Sequence, residues 1–167
     1  MPEPEYLLPD ALVEKARAVL DANRAAGRRI VLAESCTGGL VGAALTEIAG
    51  SSDVFQSAFV TYANEAKIGM LGVGQDAIET HGAVSQTVAR NMAIGALERS
   101  DADIAVSITG VAGPGGGTDD KPVGTVVFGR ALRDGDAEAH RKTFENTGRA
   151  GVRLQAALWA LELLLPE

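Results

Sequence analysis

The sequence predicts an α/β fold in three layers, in which helices cover a mixed, mostly parallel sheet. Apolar runs of strand length alternate with segments of helical periodicity in the order helix, strand, helix, strand, helices, strand, hairpin, helix. Aromatic residues make up only 4% of the chain, so the core is built from Ala, Val, Leu and Ile, which suits a sheet buried on both faces. The length of 167 residues, with no linker or repeat, predicts one domain over 1–167.

The first half of the chain alternates helical and strand patterns. A Pro-Asp pair is a helix-start signal, runs rich in Val, Ile, Phe or Thr have strand length, and Gly, Ser or Asn marks the element ends. These patterns predict a helix over 11–26 with Gly27 as its C-cap, a strand over 29–33, a helix to about residue 49, a strand over 54–63 and a short helix N-capped by Asn64.

The second half contains a glycine-rich segment between a buried strand and a β-hairpin. The hairpin turn has the composition Arg-Asp-Gly-Asp, which favours a reversal of the chain. The predicted elements are a helical turn over 76–80, a helix from Ser85 as N-cap to about residue 100, a strand over 103–109, hairpin strands over 123–132 and 137–144, and a last helix over 149–165.

Charge and cysteine content narrow the classes of function. The net charge is -7, and the two basic clusters, 28–29 and 141–142, are too short to support nucleic-acid binding. A single cysteine precludes an intramolecular disulfide. The acidic, proline-containing start over 1–5 is unlike a signal peptide, and no apolar run approaches the ~20 residues of a membrane helix. We therefore expect a cytoplasmic protein without a membrane partner.

Ser35 is the first candidate for chemistry, because it stands where a buried strand stops and a helix starts. Backbone N–H groups at such a turn can hold an anion or an oxyanion, and ligands of open α/β sheets bind at this edge. The alternative is an N-cap serine followed by glycines that permit close packing. The G-x-S-x-G elbow of α/β-hydrolases does not match, because Ala33 and Thr37 occupy the glycine positions.

Cys36 is a rival nucleophile, but a catalytic cysteine needs a histidine. The only histidines are His81, in a predicted turn, and His140, in a predicted strand, and neither lies in a catalytic motif. A small buried side chain is the favoured interpretation of Cys36. One cysteine, two distant histidines and no clustered carboxylates predict no metal site, and we expect no cofactor.

Lys67 and Tyr62 are candidates for activating a serine that has no histidine. A desolvated lysine can act as a base because burial lowers its pKa, and a tyrosine at a strand end can orient it or relay a proton. The alternatives are a solvated lysine and a tyrosine that packs on the sheet. The local S-x-x-K pattern is absent after Ser35, so contact between Ser35 and Lys67 depends on the fold.

A glycine-rich loop over 109–118 follows the predicted strand over 103–109, and its N–H groups could approach a phosphate closely. It fits neither the dinucleotide fingerprint nor the P-loop, and a mobile turn is the alternative. Arg149 and Arg153 are one helical turn apart and could clamp a phosphate, or could simply be solvated.

Five segments together resemble the CinA C-terminal domain family of nicotinamide-nucleotide amidases. They run in the family's order over roughly 7–165 and read AESCTGGLVGAALTEIAGSS, VTYANEAKIGMLGV, HGAVSQTVA, SITGVAGPGGGTDDKPVGTVVFG and GRAGVRLQAAL. Val111 and Ala63 are slight departures, where Ile and Ser are expected. Many members carry a further N-terminal domain, so this chain resembles the stand-alone form.

The resemblance implies a hydrolase that converts nicotinamide mononucleotide to nicotinate mononucleotide and ammonia. It implies Ser35 as nucleophile, Lys67 as base and Tyr62 as the third catalytic member. The substrate-binding residues expected around them are Thr37, Gly38 and Gly39 for the oxyanion, the loop residues Thr109, Gly110, Gly113, Gly115 and Gly116, and Arg149 or Arg153 for the phosphate.

Two other functions stay open from the sequence. One is a non-catalytic partner in competence or DNA damage, and the other is a nucleotide-binding module that uses only the glycine loop. A homo-oligomer is also open, because the last helix carries an apolar face that could dimerise, formed by Val152, Ala156, Trp159 and Leu163.

Overall fold

A computed structural model describes residues 5–167, so most of the acidic N-terminal start lies outside the described residues. The helices are α1 Asp10–Ala26, α2 Leu40–Thr46, α3 Asn64–Leu71, α4 Gln75–His81, α5 Gln86–Glu98 and α6 Arg149–Leu163. The strands are β1 Ile30–Glu34, β2 Phe55–Val60, β3 Ile104–Gly110, β4 Thr125–Leu132 and β5 Ala137–Thr143, and a 3₁₀ turn spans Ser51–Asp53.

The five strands form one mixed sheet in the order β2-β1-β3-β4-β5. Strands β2, β1 and β3 are parallel neighbours, while β4 runs antiparallel to both β3 and β5. Four of the five strands therefore point the same way, which confirms the predicted mixed, mostly parallel sheet. The hairpin of β4 and β5 is confirmed as well.

Helices cover both faces of this sheet, as predicted. Ile30 and Leu32 of β1 pack in one cluster with α1, α2 and α6, whereas Val31 and Ala33 pack in the other with α3 and α5. Successive side chains of a strand point to opposite faces, so a run of apolar residues is the pattern of a strand covered on both sides. The prediction of three layers follows from this and is confirmed.

The predicted helix ends are partly right. Gly27 adopts φ 66° and caps α1, and the Ser85 hydroxyl accepts a hydrogen bond from Val88 N–H at the start of α5. The prediction of Asn64 as an N-cap is wrong: the Lys67 N–H donates to the Ala63 carbonyl, so Ala63 holds the cap and Asn64 is the first helical residue. Helix α2 is also shorter than predicted and ends at Thr46.

The apolar face of α6 belongs to the core of the chain itself. Val152 and Ala156 have no exposed surface, and Trp159 and Leu163 pack beside them half-buried. The proposal that this face dimerises is therefore wrong for Val152 and Ala156, and a homo-oligomer stays a prediction. Within residues 5–167, no helix combines the length and apolarity needed to cross a bilayer.

Helix α3, which carries Lys67, approaches α5 closely because Gly95 has no side chain. A Cβ atom at Gly95 would collide with the carbonyl oxygen of Leu71, the last residue of α3. Gly69 of α3 also lies in a helix, but a Cβ there would meet nothing within 4 Å. Substituting each glycine in turn therefore distinguishes the close packing of α3 against α5 from the helix propensity of the residue.

We expect Gly95→Ala to lower the free energy of unfolding by about 1–3 kcal/mol, because overpacking outweighs the gain in helix propensity. Gly69→Ala, the matched control, should raise it by about 0.5–1 kcal/mol. Urea unfolding followed by circular dichroism measures both. A Gly95→Ala variant as stable as the wild type would contradict the close approach.

Candidate functional site

Ser35 lies at the carboxyl edge of the parallel strands, immediately after β1. Its N–H donates to the Ile108 carbonyl of β3 at 2.9 Å, which fixes the start of the turn against the neighbouring strand. The turn spans residues 35–39, and α2 begins at Leu40. The structure therefore places Ser35 at the strand-to-helix turn that the sequence predicts.

Lys67 reaches this serine from α3. Its Nζ donates to the Ser35 Oγ at 3.1 Å and to the backbone carbonyls of Thr61 at 3.0 Å and Tyr62 at 3.2 Å. The residue is only 1% exposed. Whether the serine and the lysine touch could not be derived from the sequence, and the fold brings them into hydrogen-bond contact.

The Lys67 amine is buried without a carboxylate partner among the described residues, since none of their salt bridges includes it. Burial lowers the pKa of Lys67, and the electrostatic interaction with Cys36 acts in the opposite direction. Desolvation disfavours the ammonium form, so Lys67 gives up its proton more readily than an exposed lysine does, which suits a general base.

The backbone of the turn leaves some of its N–H groups free. The Gly38 N–H is used, because it donates to the Ser35 carbonyl at 2.9 Å. Within residues 5–167, no hydrogen bond uses the N–H of Thr37 or Gly39. Gly38 and Gly39 have φ values of 57° and 99°, which favour glycine. Of the three residues predicted to hold an oxyanion, Thr37 and Gly39 thus keep an unused N–H and Gly38 does not, but Thr37 has no exposed surface.

Glu34, the last residue of β1, is a polar anchor that sequence reasoning missed. Its side chain is fully buried, and its carboxylate accepts hydrogen bonds from the N–H groups of Val41 at 3.0 Å and Gly42 at 3.1 Å. A carboxylate is favoured at the start of a helix, where N–H groups lack intrahelical partners. Glu34 therefore ties β1 to α2 across the turn that carries Ser35.

The Tyr62 side chain makes no hydrogen bond with Lys67; its backbone carbonyl accepts one instead. Its hydroxyl accepts a hydrogen bond from Arg149 Nη2 at 2.7 Å, and Arg149 Nη1 donates to the Gly113 carbonyl at 2.7 Å. The tyrosine is 59% exposed. Arg149 thus joins Tyr62 to the glycine-rich loop at the mouth of the site.

Arg153 faces the same side of α6 as Arg149 but holds the Ser35 turn. Its Nε donates to the Cys36 carbonyl at 3.0 Å and its Nη2 to the Thr37 carbonyl at 3.1 Å. Both predicted phosphate ligands therefore have two nitrogen atoms bound to protein atoms.

A cleft of about 200 Å³ opens above Ser35. Of the predicted site residues, Ser35, Tyr62, Lys67, Thr109 and Gly110 line it. The others, which do not line it, are Thr37, Gly38, Gly39, Gly113, Gly115, Gly116, Arg149 and Arg153.

The lining residues that sequence reasoning missed as site residues are Cys36, Asn64, Ala83 and Val84. Ala83 and Val84 lie between α4 and α5, and the Thr109 hydroxyl donates to the Ala83 carbonyl at 3.0 Å. Two small apolar residues in a connecting segment give no sign of a site in the sequence.

The glycine loop begins with a tight contact at Gly110. A Cβ there would lie 2.8 Å from the Cγ2 of Val126 and 2.9 Å from the carbonyl of Thr125, so only glycine fits beside β4. Gly113 and Gly116 have positive φ values, and Gly115 is open to solvent. Residues 111–118 do not line the cleft, and Arg149 joins Gly113 of this loop to Tyr62.

Neither histidine lines the cleft, and within residues 5–167 no three His, Cys, Asp or Glu side chains come together as metal ligands. His140 lies against Glu138 at 3.2 Å, on β5. The structure therefore provides Ser35 with a lysine and backbone groups rather than with a histidine.

The fold and the site define the class: an α/β protein with a buried serine–lysine pair at the carboxyl edge of its sheet. The model of the family described as CinA C-terminal domain matches residues 13–167. The chain belongs to this family.

Several relatives in sequence are named nicotinamide-nucleotide amidohydrolase PncC. The protein from Escherichia coli (strain K12) is 48% identical over 153 residues, which cover 92% of each chain. The protein from Enterobacter agglomerans is 49% identical over 146 residues, covering 87% of this chain and 88% of that protein. A CinA-like protein from Mycobacterium leprae is 49% identical, but the match covers only 34% of its length.

Solved structures share the fold. The competence/damage inducible protein CihA from Agrobacterium tumefaciens matches with a TM-score of 0.91 and 48% identity over 95% of this chain and 96% of that one. The CinA superfamily protein KP700603 from Klebsiella pneumoniae matches with a TM-score of 0.87 and 38% identity over 92% and 94%.

Cys36 should be a poor nucleophile despite its place in the lining. Burial raises the pKa of its thiol from an ordinary 9.0 to about 11, although its own backbone N–H and the charge of Arg153 act in the opposite direction. At pH 8 the folded protein should hold about 100-fold less thiolate than the unfolded chain. Alkylation by iodoacetamide, followed by mass spectrometry, should be at least that much slower in buffer than in urea. Equal rates would show that the thiol is reactive.

Proposed function

We propose that the protein is a nicotinamide-nucleotide amidase, which hydrolyses the carboxamide of nicotinamide mononucleotide to release ammonia. The observation that carries this proposal is the 3.1 Å hydrogen bond between a buried Lys67 amine and the Ser35 hydroxyl. The relatives named nicotinamide-nucleotide amidohydrolase, which the chain matches over most of their length, support the choice of substrate. The amidase acts as one domain in the cytoplasm and recycles pyridine nucleotide.

In the first step the neutral Lys67 amine takes the proton of the Ser35 hydroxyl, and the Ser35 Oγ attacks the carboxamide carbon. The negative charge moves to the carboxamide oxygen, where backbone N–H groups of the Ser35 turn are suited to stabilise it. Preorganised donors at this position cost no reorganisation during the reaction, which is why a rigid turn suits the step.

In the second step the Lys67 ammonium gives its proton to the leaving nitrogen, and ammonia departs as the carbon–nitrogen bond breaks. The product is an ester between the nicotinoyl group and Ser35. Water then attacks this ester with Lys67 again as the base, releasing nicotinate mononucleotide and restoring the Ser35 hydroxyl.

The cleft suits one end of the substrate rather than all of it. Its volume of about 200 Å³ is below the range of pockets that enclose a whole ligand of this size. The carboxamide-bearing ring enters beside Thr109 and Gly110, and the exposed ring of Tyr62 faces the pyridinium cation at the mouth. Tyr62 therefore belongs to the catalytic group by touching substrate and by holding Lys67 through its carbonyl.

The phosphate of the substrate stays outside the cleft, on the side of the glycine loop. Arg149 supplies the positive charge there, because its guanidinium spans Tyr62 and Gly113 at the mouth. Gly115 and Gly116 offer exposed backbone in the same loop. In this assignment the glycine loop contributes to phosphate binding, although Gly113, Gly115 and Gly116 do not line the cleft.

Ser35→Ala and Lys67→Met should each reduce ammonia release from nicotinamide mononucleotide by at least about 10³-fold, because nucleophile and base act as a unit. Lys15→Met, which removes a half-exposed lysine of α1 that pairs with Glu162, is the matched control and should keep full activity. A folded wild type that releases no ammonia would overturn the amidase. It would favour the competence-associated partner, or the nucleotide-binding module if nicotinamide mononucleotide still binds.

The activity should also rise with pH through the ionisation of Lys67. The base must be neutral, and burial lowers the pKa of Lys67, so the midpoint of kcat/KM against pH should lie below the ordinary lysine value of 10.5. Lys67→Arg keeps a cation that does not lose its proton, so it should be inactive throughout the range. A profile that does not change with pH from 6 to 10 would argue against Lys67 as the base.

A further inference from the structure

Arg153 is the only side chain among the described residues that binds two carbonyls of the Ser35 turn. Its Nε donates to the Cys36 oxygen and its Nη2 to the Thr37 oxygen, at 3.0 and 3.1 Å. The residue comes from the first turns of α6, more than a hundred positions along the chain. Both bonds are charge-assisted and therefore stronger than bonds between neutral groups.

The bond to the Cys36 carbonyl also fixes a donor. The Cys36 carbonyl and the Thr37 N–H belong to one planar trans peptide, so they point in opposite directions. Arg153 on the carbonyl side therefore orients the Thr37 N–H away from α6. That N–H is one of those that no hydrogen bond within residues 5–167 uses.

The second bond closes the turn. The Thr37 carbonyl and the Gly38 N–H share the next peptide, and the Gly38 N–H donates to the Ser35 carbonyl at 2.9 Å. A cation bound to a carbonyl polarises its peptide and strengthens the N–H on the other side. Arg153 thus acts on the Ser35 carbonyl through the Gly38 N–H. It acts on the Thr37 N–H through the Cys36 carbonyl.

We infer that Arg153 is a positioning residue that orients and polarises the peptides of the turn that carries Ser35, and that it is not a ligand of the substrate phosphate. The inference rests on the proposed amidase function for the identity of the substrate. It replaces the prediction that Arg149 and Arg153 form one clamp. Arg149 lies at the mouth, whereas the guanidinium of Arg153 lies behind the turn.

A positioning residue and a phosphate ligand differ in the kinetic constant that they change. Arg153→Met should lower kcat for nicotinamide mononucleotide by about 10–100-fold, somewhat less than the loss of a direct oxyanion donor. The Kd of the same nucleotide, measured by calorimetry in the Ser35→Ala background, should change less than twofold when Arg153→Met is added. A Kd at least tenfold weaker with kcat unchanged would assign Arg153 to the phosphate and overturn the inference.

Arg24→Met is the matched control. Arg24 also donates to a loop carbonyl, that of Gly50 at 3.1 Å, but it lies on α1 away from the cleft. Its loss should leave kcat unchanged. Arg153→Lys, which keeps the charge but not the paired donors, should fall between wild type and Arg153→Met, and it serves as the test if Arg153→Met does not fold. Added guanidinium should restore part of kcat in Arg153→Ala and none in Arg24→Ala.

A fluorophosphonate tests the turn without the nucleotide. Ser35 Oγ forms a bond to phosphorus as fluoride leaves, and the serine proton passes to Lys67. Labelling of Ser35 should be at least tenfold slower in Arg153→Met. If the wild type labels at Ser35 but releases no ammonia, the substrate proposal fails while the labelling rates still test Arg153. Equal labelling rates with and without Arg153, or a wild type that neither labels nor turns over, would overturn the inference.

Discussion

The site depends on one interaction, the hydrogen bond from the buried Lys67 amine to the Ser35 hydroxyl. It joins the end of β1 to α3, and the same amine holds the two backbone carbonyls that follow β2. Three segments of the chain therefore meet at one nitrogen atom. Because β1 and β2 are parallel neighbours, their carboxyl ends open at the same edge, and the sheet brings the serine and the lysine together.

The burial of Lys67 carries a cost in stability that varies with pH. Its pKa is lower in the folded protein than in the unfolded chain, so the unfolded chain binds the proton more readily. The folded state therefore loses stability as pH falls below the unfolded value of 10.5, until the pH lies below the folded value as well. At neutral pH, hydrogen bonds from the Lys67 ammonium to the Ser35 Oγ and to the Thr61 and Tyr62 carbonyls offset part of this cost. A carboxylate partner would offset more, but it would also hold the proton on the amine and remove the base.

The sequence predicts the scaffold better than the site. Strand lengths and apolar runs are local, so β1 and β3 could be placed to within a residue, as could the cap at Ser85. The residue types Ser35 and Lys67 were candidates for the same local reason. Their contact depends on the order of strands in the sheet, which no short segment of the sequence contains.

Ala83, which sequence reasoning missed, joins the site through a backbone group that a distant part of the chain binds. Ala83 joins the lining because the hydroxyl of Thr109 binds its carbonyl, and nothing in the residue type alanine indicates this. The spacing of Arg149 and Arg153 places them one helical turn apart on α6, but it does not say what each of them meets. The helix meets the Ser35 turn at one arginine and the mouth of the cleft at the other.

Opposite charges hold the Ser35 turn from its two sides. The Glu34 carboxylate takes the N–H groups of Val41 and Gly42, and the Arg153 guanidinium takes the carbonyls of Cys36 and Thr37. Because Glu34 binds the N–H groups at the start of α2, those groups do not compete for an anion. Because Arg153 binds the carbonyls of Cys36 and Thr37, these carbonyls do not repel an anion. What the turn leaves unpaired beside Ser35 is therefore a donor, and amide hydrolysis develops its negative charge at an oxygen that needs one.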